Sequence, residues 1–195
     1  MLSIVLCRYG RDMTIWPALL FVPMTEDKCI TDSPAGCTQR AYLHLERDVE
    51  FTDPPYTPSH IALMVFDPDE VTRLVGLQPT KAWRSGDPIS GTSRLRRFSS
   101  WKYELPEVHN YITEEVVVPL LDAIEPYADG IDTACRTLGM RAGIMVVITM
   151  HGDRNTDDGE PHVSTAAITY TSQTLRRLAR LGLAIEHDQY VFLPD

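Results

Sequence analysis

The chain lacks the spacings that mark most small catalytic and metal-binding domains. Its four cysteines, Cys7, Cys29, Cys37 and Cys135, include no C-x-x-C pair, so neither a zinc site nor a disulfide scaffold is supported and reduced cytoplasmic thiols fit better. There is no G-x-S-x-G elbow, phosphate-binding loop, H-E-x-x-H or G-x-G-x-x-G, which tilts the reading away from an enzyme. No apolar run reaches the roughly 20 residues a membrane span needs. The N-terminal MLSIVLCRYGRDMTIWPALLFVPM has no basic residue ahead of its first apolar run and is broken by Pro17 and Pro23, so a peripheral extension is expected there rather than a signal peptide. Basic charge is scarce too: 18 Lys and Arg against 27 Asp and Glu leave a net charge of −9. That balance opposes general binding to nucleic-acid phosphates and favours solubility or a basic partner.

What is present is globular: 195 residues, 44% hydrophobic and 23% charged, enough to bury a core. The charge is unevenly placed. From Lys81 to Lys102 six cations (Lys81, Arg84, Arg94, Arg96, Arg97, Lys102) face one anion, Asp87, so this stretch carries +5 and the rest −14.

Residues 1–38 read as an irregular N-terminal arm ending in the turn-rich TDSPAGCTQ, and 39–195 as a single α+β domain. AYLHLERDV alternates Ala41, Leu43 and Leu45 with polar neighbours, the period of a half-buried strand. FTDPPYTPS reads as a loop, and HIALMVF, a short apolar run between turn residues, as a second strand. FDPDEVTRLVG then predicts a helix with Asp67 as cap, Pro68 at its first position, Glu70 completing a capping box and Gly76 as a left-handed stop. PTKAWRSGDPISG and SSWKYELP read as two strands around a loop made mobile by Gly86, Pro88 and Gly91. Ile112, Val116, Val117, Leu120, Leu121 and Ile124 repeat at helical spacing, with Pro119 kinking that helix or starting its second part. Pro126 opens another helix stopped at Gly139. GIMVVITM fits a central buried strand, VSTAAITY its neighbour, SQTLRRLARLG a capped helix and LAIEHDQYVFL a last strand. The order ββαββα(α)ββαβ implies a largely antiparallel sheet with helices packed on one face.

Several of these motifs, taken in order, resemble one family. The Asp67-Pro68-Asp69-Glu70 helix start, Gly76-x-x-Pro79-Thr80-x-x-Trp83-x-x-Gly86-Asp87, LLDAIEPYAD and the closing LRRLARLGLAIEHDQY together resemble the DUF4279 family over residues 40–191. This is a mainly bacterial family named for its unknown function. The resemblance implies a compact α+β domain and, because some such small domains lie near bacterial toxin and immunity genes, protein binding. It carries over no catalytic residues.

Three clusters are candidates for chemistry. HGDRNTDDGEPH, His151 to His162, is rich in metal-ligating residues. An EF-hand started at Asp153 puts Asp158 where the turn needs glycine and Ser164 where the bidentate acid belongs. A zinc site needs His151 and His162 opposed across a hairpin neck. A solvated acidic loop between two strands accounts for the same residues and is the preferred reading. Trp83, Arg84, Asp87, Arg96, Arg97, Trp101 and Lys102 set guanidinium groups beside indoles, a surface suited to a protein hot spot or an anionic ligand. The competing reading packs both indoles on the core and has Asp87 cap a turn. His187 and Asp188, adjacent in a strand, point to opposite faces and form no dyad, so a half-buried structural histidine on the side of Ile185 is expected.

A non-enzymatic, immunity-like protein-binding module is therefore favoured, with its acidic surface on a basic partner. The alternative is a small enzyme or sensor that holds an anionic small molecule where Arg84 converges with Arg96 or Arg97. No cofactor, metal, nucleic acid or membrane contact is expected.

Overall fold

The structure, a computed structural model, describes residues 3–4, 36–47, 57–154 and 162–193. Its long central strands are β2 (Gly36–Arg47) and β6 (Met140–His151), which run antiparallel and pair along their whole lengths. β4 (Ser100–Glu104) and β3 (Lys81–Trp83) continue the sheet beyond β2, and the short β5 (Val108–His109) pairs with Thr38 and Gln39 of β2. On the other side β7 (Ala184–Phe192) lies parallel to β6, and β1 (Ser3–Ile4) pairs parallel with Asp188 and Gln189 of β7. The order is β1-β7-β6-β2-β4-β3. The sheet is mixed but largely antiparallel, and with its helices it forms the α+β architecture the periodicities implied.

Side-chain alternation gives the sheet two unlike faces. Ala41, Leu43 and Leu45 of β2, Trp101 of β4 and Ile144, Val146 and Ile148 of β6 point to one face and are at most 1% exposed. Against them pack α2 (Pro68–Val75), α3 (Glu114–Ile124), α4 (Ala128–Leu138) and α5 (Ser172–Arg180), through Val71, Val117, Leu120, Leu121, Ile124, Ile131 and Leu178. At roughly 25 cal/mol per Å² of apolar surface buried, this one-sided core is the main source of stability.

The helix ends obey their local signals. Asp67 accepts the Asp69 N–H at 3.0 Å, and Gly76 ends α2 at φ +77°. The capping box read for Glu70 is not formed among the described residues: its carboxylate pairs instead with Arg73 at 3.8 Å, and Asp67 alone caps the helix. Gly139 stops α4 at φ +60°, and Thr171 caps α5 by accepting the Thr174 N–H. α2 and α4 approach so closely at Gly130 that a β-carbon there would lie 2.3 Å from the Val75 carbonyl oxygen. Pro119 lies inside a continuous α3.

Four local expectations change. HIALMVF is no strand: Pro58–Leu63 form a short helix, α1, because the Thr57 hydroxyl accepts the His60 N–H and Pro58 stands at the first helical position. VSTAAITY does not join the sheet. The two strands around it, β6 and β7, are parallel and need a long crossover, and 163–170 form part of it, bridging Ala167 to Ile112 at the start of α3. Helix α3 itself begins at Glu114, leaving Ile112 41% exposed. Finally, residues 36–38, placed in the irregular arm, already belong to β2, and Ser3–Ile4 form β1; the rest of that arm and 155–161 of the acidic loop lie outside the described residues.

Candidate functional site

The stretch between β3 and β4 is a closed hairpin, not a mobile loop. The Gly86 N–H donates to the Arg96 carbonyl at 2.8 Å, the Arg96 N–H to Asp87 at 2.8 Å and the Ile89 N–H to Arg94 at 2.9 Å. Gly86 and Gly91 adopt φ of +90° and +74°, a left-handed backbone that lets the turns close. Asp87 accepts the Arg84 N–H at 2.6 Å, the turn-capping role weighed for it. The Arg84 guanidinium reaches Asp67 at 2.8 Å and also binds Asp69, so it pins the hairpin base to the N-terminus of α2. Those two carboxylates hold its pKa above the ordinary value.

The two indoles are separated by the sheet. Trp101 pairs with Ala82 and faces the core, 0% exposed, donating its N–H to the Thr72 hydroxyl at 3.0 Å. A role for Trp101 in contacting a partner is thereby corrected: its side chain is fully buried under the helices. Trp83 pairs with Ser100 on the opposite face, half-buried, with the Arg96 guanidinium 4.3 Å above its ring. Arg84 turns to α2 while Arg96 lies on Trp83, so the expected convergence of these guanidiniums is not formed. Arg94 and Arg97 project outward, and among the described residues their side chains have no ion pair or hydrogen bond. Between and beside them Leu95 and Phe98 are 61% and 38% exposed. The hairpin base is tied by the Ser99 N–H to the Met64 carbonyl at 3.3 Å, and the flanking Leu63 and Val65 are exposed as well. The result is a hydrogen-bonded projection with two exposed apolar side chains, Leu95 and Phe98, beside cations that have no partner among the described residues.

A second surface is the bare face of the sheet, which sequence reasoning did not single out. Its β2 residues are the polar partners in the AYLHLERDV alternation: Tyr42, His44 and Glu46, with Arg40 before them. Glu104 of β4 is bound by both Arg40 and Lys81. Burial alone would raise its pKa, but those two cations outweigh it and leave the carboxyl below its ordinary value. Lys102 lies 4.1 Å above the Tyr42 ring, and burial lowers the lysine's pKa while raising the phenol's to about 12. His44, 8% exposed, places Nδ1 3.6 Å from Glu46 and Nε2 3.9 Å from Glu186, and Arg141 hydrogen-bonds Glu46 at 2.8 Å. The ring lies over Gly143, where a β-carbon would sit 2.8 Å from Nε2. At one end of this face an open groove of about 760 Å³ lies between Tyr190 and Phe192 on one side and the Leu105–Pro106–Glu107 connection on the other.

The histidine clusters resolve differently. His162 exchanges backbone hydrogen bonds of 2.8 Å with Asp153, not with His151, whose ring stacks 5.3 Å from Phe192. Among the described residues no three His, Cys, Asp or Glu side chains are grouped to hold a metal. His187 lies on the side of Ile185 as expected, its Nε2 2.6 Å from the Tyr170 hydroxyl, and burial lowers its pKa. Among the described residues no helix is long and apolar enough to cross a membrane.

These elements define a two-layer α+β domain in which the described helices leave one face of the sheet uncovered. The family model for the domain of unknown function DUF4279 matches residues 40–192, and the chain belongs to that family. No curated protein and no solved structure matches it.

Proposed function

We propose that this domain is a non-catalytic protein-binding module that docks through the hairpin 84–98 and the adjoining Leu63–Val65 segment. The observation that carries this reading is the exposure of Leu95 and Phe98, at 61% and 38%, beside Arg94 and Arg97, whose side chains have no partner among the described residues, on a backbone already held by its own hydrogen bonds. Apolar anchors among arginines are the composition of interface hot spots, and a preformed hairpin loses little conformational entropy on binding. The Arg96–Trp83 stack and the Arg84 clamp hold the projection from below. Because the hairpin sets Arg84, Arg94, Arg96 and Arg97 against Asp87, within a stretch 81–102 that carries +5 while the rest of the chain carries −14, the partner surface meeting the hairpin is acidic with an apolar patch. The rest of the chain leaves room for a basic contact elsewhere.

The test is affinity capture with the wild type and with Leu95→Glu/Phe98→Glu in parallel, followed by titration of the purified candidate partner at low and moderate salt. A stoichiometric complex that weakens with salt and at least tenfold in the double variant supports the reading. A partner held equally by both proteins, or none that rebinds in purified form, refutes it.

A further inference from the structure

The geometry points to the open groove on the bare sheet face as a binding site for a small organic carboxylate with a flat or extended apolar body. This site is separate from the hairpin tips and does not depend on the protein-binding reading. Val147 and Thr149 of β6 form its floor, Tyr190 and Phe192 of β7 one wall, and Leu105 and Pro106 the other, in about 760 Å³. That volume suits a small ligand, and an apolar lining with a few placed polar groups is the usual composition of such sites.

A guanidinium with unused donors selects the ligand. Arg40, Lys81 and the neighbouring Lys102 gather around one carboxylate, Glu104, whose side chain is only 11% exposed. The other acid of the lining, the exposed Glu107, belongs to the wall. With Glu107 counted, the two cations and two carboxylates of the lining balance, and Lys102 stands beside it over Tyr42, so the donors of Arg40 rather than net charge favour an acid group. Arg40 uses one terminal nitrogen, Nη1, on Glu104. A guanidinium offers five N–H donors in a planar fork, so the Glu104 contact fixes the fork and leaves donors for a second carboxylate. The Thr149 hydroxyl adds a polar group on the floor. An apolar body laid on Val147 between Phe192 and Pro106 brings an acid group to Arg40, whereas a neutral body gains only the walls.

The experiment titrates the full chain with benzoate, phenylacetate, 4-phenylbutyrate and octanoate, each beside its primary amide, with inorganic phosphate as a further arm. Readouts are thermal denaturation and isothermal calorimetry. At least one carboxylate is expected to bind saturably and to raise the melting temperature, as any ligand selective for the folded state must, with its amide at least tenfold weaker. Arg40→Met is expected to weaken the acid at least tenfold while leaving the amide unchanged. Phe192→Ser, on the rim, should weaken both, and it keeps the test informative if Arg40→Met proves unstable. No saturable response to any acid, equal binding of acid and amide, or unchanged binding in both variants would overturn the proposal. Phosphate competing as well as the best carboxylate would overturn the organic ligand in favour of a plain anion site.

Discussion

The two faces of this sheet are built from the same strands and do opposite work. On β2, Ala41, Leu43 and Leu45 disappear under helices at 1% exposure or less, while Arg40, Tyr42, His44 and Glu46, one residue out of step, form charged and aromatic contacts toward solvent. The packed face has one feasible occupant for most positions, because close-packed interiors register even one methylene. The bare face is held by ion pairs that individually contribute little. Stability therefore resides on one face, while the surfaces proposed for recognition are the bare face and the hairpin that extends from the sheet edge.

The most disruptive test of that contrast is Trp101→Ala. Removing a 0% exposed indole and its bond to Thr72 should cost about 3–5 kcal/mol in urea denaturation. A cost near that of a surface change would deny the packed face its role. Gly130→Ala follows, at about 1–3 kcal/mol, since the new methyl meets the Val75 carbonyl and α2 and α4 must part. On the bare face Gly143→Ala should cost less, because the atom it meets belongs to the His44 side chain, which can swing away; a moved His44 ring signal by NMR, with modest destabilisation, is the expected outcome.

Acidity separates the faces more finely. His187, half-buried on the helix side, has its pKa depressed below the ordinary 6.5 by burial. The unfolded chain thus takes up its proton first, so this contribution is whole above about pH 6.5 and fades as pH falls through the folded value. Glu104 on the bare face is also depressed, below its ordinary 4.5, so its contribution is present above that pH and fades only under stronger acid. Stability measured against pH should fall in two stages, the first absent in His187→Gln and the second reduced in Glu104→Gln. The smallest effect on folding is expected from Leu95→Ser/Phe98→Ser, within about 0.5 kcal/mol per site, although partner binding should drop.

Much of this was readable before any coordinates. The cap Asp67, the stops Gly76 and Gly139 and the β-branched run of β6 act within a few residues of themselves, so α2, α4 and β6 were legible, as was SQTLRRLARLG as a capped α5, whose cap the structure places at Thr171. HIALMVF misled because a short apolar run has no decisive period, and the Thr57–Pro58 helix start outweighed it. VSTAAITY has strand composition, but the parallel pairing of β6 with β7 required a crossover there, a constraint visible only in the topology. In the site, the charge excess of 81–102 was legible and its geometry was not. Alternation sends Trp83 and Trp101 to opposite faces once the β3–β4 register is fixed, and Arg84 is claimed by acids 17 and 15 residues before it. The groove assembles residues from five strands and the 105–107 connection, a coincidence no local pattern encodes.

The most direct test of the central claim compares wild type with Leu95→Glu/Phe98→Glu in a single pair of measurements, urea denaturation and calorimetric titration of the purified partner. Unchanged stability with binding weakened at least tenfold is the predicted result. Equal binding by both proteins would show that the hairpin is not the docking surface, and would turn attention to the bare face of the sheet.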